Sequence, residues 1–305
     1  MGDFIGHVCP GLFLALYGLY QAIVVSRAMI FSDSLLYPSY LSKNKGRWAR
    51  LWQIAHTGCL KAVTGSLLIV YEITSVEGGL KLMSKEMPPR FMFPKQWQHL
   101  TMFVLLTLDG CTEIVSKNVL RQRWVVLERG STVLAIYVLL LLLVSHVKDS
   151  SGVELQVHSL LILLVFLLML VLTAELWAPE MLHLWMIETF LFLMMGTWLM
   201  QAGFILFRPV SGYPWEDDDI SDIMFVTTFF CWHVMINALC LVGVYGFSSF
   251  WHRYYSPSLR LGAFKKALYH ESSSGTFYQL VQDAEQQDKD DQVLLPSKSS
   301  PCDRA

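Results

Sequence analysis

Residues 230–237 read FCWHVMIN and set an ionisable imidazole, His233, inside hydrocarbon. The surrounding stretch 223–250 contains no Asp, Glu, Lys or Arg, and it exceeds the about 20 residues that a helix needs to cross a bilayer. It reads as a transmembrane helix. His233, Asn237 and Cys240 fall on one face of that helix, and Val226, Phe229 and Phe230 continue the face as apolar surface. An ionisable group in a span is costly unless it meets protein, water or a partner, so this face is expected to point into a bundle.

Working outward, six more windows have the length and apolarity of spans: 4–25, 51–75, 97–116, 131–147, 155–177 and 181–207. With 54% hydrophobic and only 16% charged residues in 305, the chain departs from the balance of a soluble domain, so a membrane protein is expected. The fold class read from this is all-α: an integral membrane bundle of seven transmembrane helices over residues 1–250, with a disordered cytosolic tail over 251–305. The first window has Asp3 and no basic leader ahead of it, which reads as a retained helix, bent at Pro10 and Gly11. A net charge of -2 and the lack of a basic stripe interleaved with aromatics exclude nucleic acid as a partner. Cys9, Cys59, Cys111, Cys231 and Cys240 lie in apolar segments without a Cys-x-x-Cys pair and read as small hydrophobes.

Lys and Arg set the orientation. With the N-terminus outside, the inner loops hold Arg27, Lys43, Lys45, Arg47, Arg50, Lys117, Arg121, Arg123 and Arg129, and the tail adds more. The outer loops hold Lys81, Lys85, Arg90, Lys95, Lys148 and Arg208. The expected topology is N-out, C-in, at the plasma membrane or an endomembrane, with the acidic run WEDDDISD (215–222) a solvated outer loop. In the polar tail, YQLV places Tyr278 and Val281, and DDQVLL places Asp290, Leu294 and Leu295, as signals of the kind that sorting adaptors bind.

The intramembrane polar residues form two layers. His7, His99, His146, His158 and His233, each from a different helix, fall in the outer half. Lower lie His56, Asp109, Glu113, Glu175, His183 and Glu188, with Lys61 between the layers as a counter-ion for Asp109 and Glu113. Asp109 and Glu113 are four apart and share a helical face. Three or more converging imidazoles could hold a divalent first-row metal such as zinc, with Glu113 as supporting carboxylate or general base. The same rings could shuttle protons or hydrogen-bond the bundle together.

Several motifs taken in order resemble the transmembrane protein 45 family: GHVCPG (6–11), WQHLTMF (97–103), VHSLL (157–161), GTWLMQAGFILFRP (196–209) and MFVTTFFCWH (224–233). The likeness covers almost the whole membrane portion and is greatest to an epididymal branch, which implies expression in the male reproductive tract and no particular reaction. It implies a multi-pass fold and carries over His7, His99, His158 and His233, with Glu113 and Glu175 as acidic counterparts and His146 aligned less closely. Relatives in this family carry His-x-His pairs near the ends of helices 4 and 5. Here the partner positions are Lys148 and Gln156, which removes two ligands.

A receptor of the G-protein-coupled type is excluded: Val234 stands where its Cys-Trp-x-Pro motif needs proline, and Asp-Arg-Tyr and Asn-Pro-x-x-Tyr are missing. Phosphate-binding glycine loops, a Gly-x-Ser-x-Gly elbow and His-Glu-x-x-His are missing too. The favoured reading is a non-enzymatic membrane protein acting in trafficking or as a scaffold through its tail. The alternative is a membrane metal-dependent enzyme, or a metal- or proton-handling protein, built on the outer histidines.

Overall fold

A computed structural model describes residues 4–30, 56–76, 78–85, 87–120, 124–179 and 181–255. The chain divides into two units, Met1–Ser248 and Ser249–Ala305, and the architecture below is that of the first. The helices are α1 (Phe4–Ile30), α2 (His56–Thr74), α3 (Pro94–Ile114), α4 (Val125–His146), α5 (Gly152–Trp177), α6 (Leu182–Phe207) and α7 (Ile220–Tyr255). α1 runs unbroken through Pro10. α3 starts on proline, whose missing N–H is no loss in a first turn, and ends in a π-helical turn, Val115–Val119.

Six of these helices are long and apolar enough to span a membrane, where the sequence suggested seven; α2 is the exception among the described residues. It has the length, with 19 residues, but His56, Lys61 and Glu72 interrupt its apolar run, and residues 51–55 of the expected window lie outside the described part. Other boundaries moved modestly. The fourth helix begins at Val125 instead of 131, which takes Glu128 and Arg129 out of a loop and into the helix.

Helices α1 to α6 close into a ring: each packs on the next in sequence, and α6 returns to α1. The α1–α6 and α2–α3 contacts are the closest, and glycine is the reason. A Cβ on Gly196 would lie 2.8 Å from the Gly11 carbonyl oxygen, and one on Gly110 would lie 2.6 Å from the carbonyl oxygen of Gly58. In both cases backbone meets backbone, as in small-residue interfaces within membranes. The main apolar core lies between α4, α5 and α6, with Leu164, Leu168, Met194 and Trp198 deeply buried.

α7 stands outside this ring against α6. Its buried contacts form one narrow stripe, Val226, Phe230, Asn237 and Leu241, while Met235, Ile236, Leu239 and Val242 are exposed apolar surface suited to lipid. Cys240, expected on the inward face, is exposed. The loop before α7 has local structure of its own: Asp219 Oδ1 accepts from the Ser221 N–H, and the Glu216 N–H donates to Asp222. These acids serve the helix start, where negative charge is favoured.

Replacing Gly196 with Val is expected to destabilise the protein by roughly 1–3 kcal/mol, the usual cost of overpacking. Thermal unfolding in mild detergent measures it. Gly130→Ala, where an added Cβ meets nothing within 4 Å, is expected to leave the midpoint unchanged or raise it.

Candidate functional site

The ring places polar side chains at both of its ends. At the end where α1 begins, four of the five expected histidines stand in file. Ring centroids are 6.1 Å apart for His7 and His158, 5.3 Å for His158 and His146, and 5.4 Å for His146 and His99. Glu72 of α2 extends the file, with Oε1 3.4 Å from His99 Nδ1. The row therefore draws on α1, α2, α3, α4 and α5. His7, Glu72, His146 and His158 are all buried.

Three of the rings are oriented by an oxygen on Nδ1. His158 Nδ1 lies 2.8 Å from the Glu154 carbonyl oxygen, which can only accept, so Nδ1 carries the hydrogen. His146 Nδ1 meets Gln98 Oε1 at 2.9 Å, and Gln98 is held in that sense by donating through Nε2 to Ser145. His99 faces the Glu72 carboxylate in the same way. In the neutral form each of these rings offers its Nε2 lone pair to whatever lies beyond.

A metal centre asks for three or more such donors around one point. The row is a file, not a circle, and among the described residues no group of three or more His, Cys, Asp or Glu side chains is placed to hold a metal ion. His233 is not in the row: α7 lies outside the ring, and Trp198 of α6 stands edge-on to His233 at 5.8 Å. Trp198 donates through Nε1 to the Val157 carbonyl, which ties α6 to α5 beside His158. Asn237 donates to the Thr197 hydroxyl at 2.9 Å and so anchors α7 to α6. Gln156, at one of the missing-histidine positions, donates to Thr227 and ties α5 to α7.

Glu113 also lies apart from the histidines, in a charged cluster at the opposite end. Lys61 is the centre of that cluster, 2.8 Å from Asp109 Oδ2, 3.3 Å from Glu113 Oε2 and 5.7 Å from the Tyr17 ring centroid. Asp109 further accepts from Ser131 and Thr132 of α4, at 2.7 and 2.9 Å. Glu113 accepts from Thr57 and from Lys117, the latter at 2.5 Å. Arg129 pairs with Glu175, which is 0% exposed. Sequence reasoning placed Arg129 in an inner loop and missed this pair; its signal was an acid on α5 that needed a cation at the same depth. The tail residues Tyr278, Val281, Asp290, Leu294 and Leu295 lie outside the described residues.

Apolar helices long enough to span a bilayer, lined inside with paired polar groups, define a multi-pass integral membrane protein. A model described as "Family of unknown function (DUF716)" matches residues 126–246, which hold α4 to most of α7 and leave out His7, Lys61, His99 and Asp109. Over all 305 residues of both chains, this one is 81% identical to Transmembrane epididymal protein 1A of Mus musculus and 78% identical to Transmembrane epididymal protein 1 of Rattus norvegicus. It is 66% identical over 273 residues to Transmembrane epididymal protein 1 of Homo sapiens, covering 90% of this chain and all of that one. The chain belongs to the transmembrane epididymal protein 1 family.

Lys61→Met removes the cation from two buried carboxylates and is expected to cost about 3–5 kcal/mol. Denaturation of the purified protein in detergent gives the figure. Adding Asp109→Asn and Glu113→Gln to Lys61→Met should recover part of the loss, because no buried charge is then left unpaired.

Proposed function

We propose that this chain handles protons through the row His99–His146–His158–His7, as a seven-span, N-out/C-in protein of the epididymal epithelium. The reading takes α2 as the remaining span, on its length, and takes the orientation from the excess of Lys and Arg in the inner loops. The relatives' names support the epididymal setting, and the motifs of the sequence support membership of the transmembrane protein 45 family. The membrane is the plasma membrane or an endomembrane.

The observation that carries the function is the spacing of the file. Neighbouring imidazole centroids lie 5.3 to 6.1 Å apart, with oxygens fixing Nδ1 on three rings and leaving Nε2 to exchange a proton with a neighbour or a water. Imidazole is the side chain suited to that exchange near neutral pH. Glu72 closes the row, with Oε1 3.4 Å from His99 Nδ1. The YQLV and DDQVLL patterns support a second role, in trafficking through the tail, that is independent of the row.

Full-length protein in liposomes containing a pH-sensitive dye tests the proposal. A proton flux is expected when a membrane potential is imposed, with a fall of about a hundredfold in His146→Ala/His158→Ala. His233→Ala, outside the row, should keep the flux and serves as the folding control. Wild-type flux no greater than that of empty liposomes would overturn the reading. So would stoichiometric metal in the purified wild type that is absent from the double variant, which would favour a metal site.

A further inference from the structure

The charged end of the ring contains five buried carboxyl groups, Asp109, Glu113, Glu128, Glu175 and Glu188, whose surroundings differ in one respect. Asp109 has Lys61, Glu113 has Lys61 and Lys117, and Glu175 has Arg129, each within ion-pair distance. Glu188 of α6 is only 8% exposed, yet among the described residues no cation lies within 4.0 Å of it and no hydrogen bond reaches it. The charged groups that face it are Arg129 from α4 and Lys61 from α2, with Tyr17 of α1 also within electrostatic reach. Both cations are already committed: Lys61 is held by two carboxylates, and Arg129 by the fully buried Glu175. Lys61, Lys117 and Arg129 thus serve Asp109, Glu113 and Glu175, Glu128 accepts from the Ser116 hydroxyl at 2.8 Å, and Glu188 is the fifth acid.

A carboxylate without a partner is too costly in such a place, and a carboxyl group avoids that cost by keeping its proton. We propose that Glu188 is a proton-binding site of the membrane domain, and that its proton controls which acids hold Lys61 and Arg129. With the proton on, the pairs stand as described. With the proton off, the new negative charge competes for Lys61 against Asp109 and Glu113, and for Arg129 against Glu175. The α2–α3 and α4–α5 ties through these residues are then weakened in favour of α6. The site lies at the opposite end of the ring from the histidine row, and it does not depend on that row conducting.

A hydrophobic carbodiimide tests this, because it enters the bilayer and forms a stable acylurea only with protonated carboxyl groups. Full-length protein in membranes is treated at neutral pH, and adducts are located by peptide mass spectrometry. Labelling at Glu188 is expected to exceed that at Asp109, Glu113 or Glu175 by more than about tenfold, following the protonated fractions, and to fall at alkaline pH. Glu188→Gln should remove that adduct while the protein still unfolds cooperatively. No adduct at Glu188, or equal labelling of the paired acids, overturns the proposal. To test the switch, the native cysteines are replaced by alanine, and Leu60→Cys on α2 and Leu108→Cys on α3, both exposed and outside the charged cluster, are spin-labelled together. The distance between labels is expected to broaden at alkaline pH in the wild-type background and to stay narrow with Glu188→Gln; an unchanged distance in both overturns the competition for cations.

Discussion

The ammonium of Lys61, 2.8 Å from Asp109 in the interior of a helical ring, is the constraint on which the arrangement turns. α2 falls short of the apolarity of a span, and Lys61 is one of the three residues, with His56 and Glu72, that interrupt it; alone in lipid that side chain would be expensive. Paired with Asp109 and Glu113, it becomes the link that fixes α2 to α3 in depth and rotation. Asp109 passes the constraint to α4 through Ser131 and Thr132, and the Tyr17 ring brings in α1. The close backbone contact at Gly58 and Gly110 lets Lys61 reach so far, because larger residues would hold the two helices apart. Charge and packing at this end support one another.

The ring explains the division into two polar layers. Only inside it can ionisable groups avoid lipid, and near its two ends the helices offer the most polar company. Between the layers the interior is apolar. His158 and Glu175 are roughly 25 Å apart along α5, at 1.5 Å per residue. The buried residues separating them are Leu161, Leu164, Val165, Leu168 and Leu172. The histidine row and the carboxylate cluster are therefore two sites and not one continuous polar path. On α3, buried Phe103 stands between His99 and the acids Asp109 and Glu113.

Much of this was legible because hydrophobicity and helical spacing are local properties. The apolar windows marked the spans, and the four-residue interval between Asp109 and Glu113 put both acids on one face, with Lys61 available to serve them. Which helices would be neighbours was not local. His233 looked equivalent to the other histidines in depth, yet α7 packs outside the ring, and no spacing along one helix shows that. Arg129 was assigned to a loop because the apolar run starts after it. The helix begins earlier, and the half-buried Arg129 that it carries pairs with the buried Glu175. Glu113 shared a helix with His99, but Lys61 and Lys117 hold it at the other end.

Ring closure requires α1 to meet α6, so the face of α1 bearing His7, Gly11 and Gly18 has no receiver until the chain through Phe207 has been made. α2 and α3 are neighbours in sequence and need no such wait. During biosynthesis the histidine end is thus completed late, after the first helix has spent most of translation with a polar, glycine-notched face beside lipid or the insertion machinery. A chain arrested before its sixth helix would be an open arc with its interior turned outward. That is a form of the protein on which membrane quality control could act.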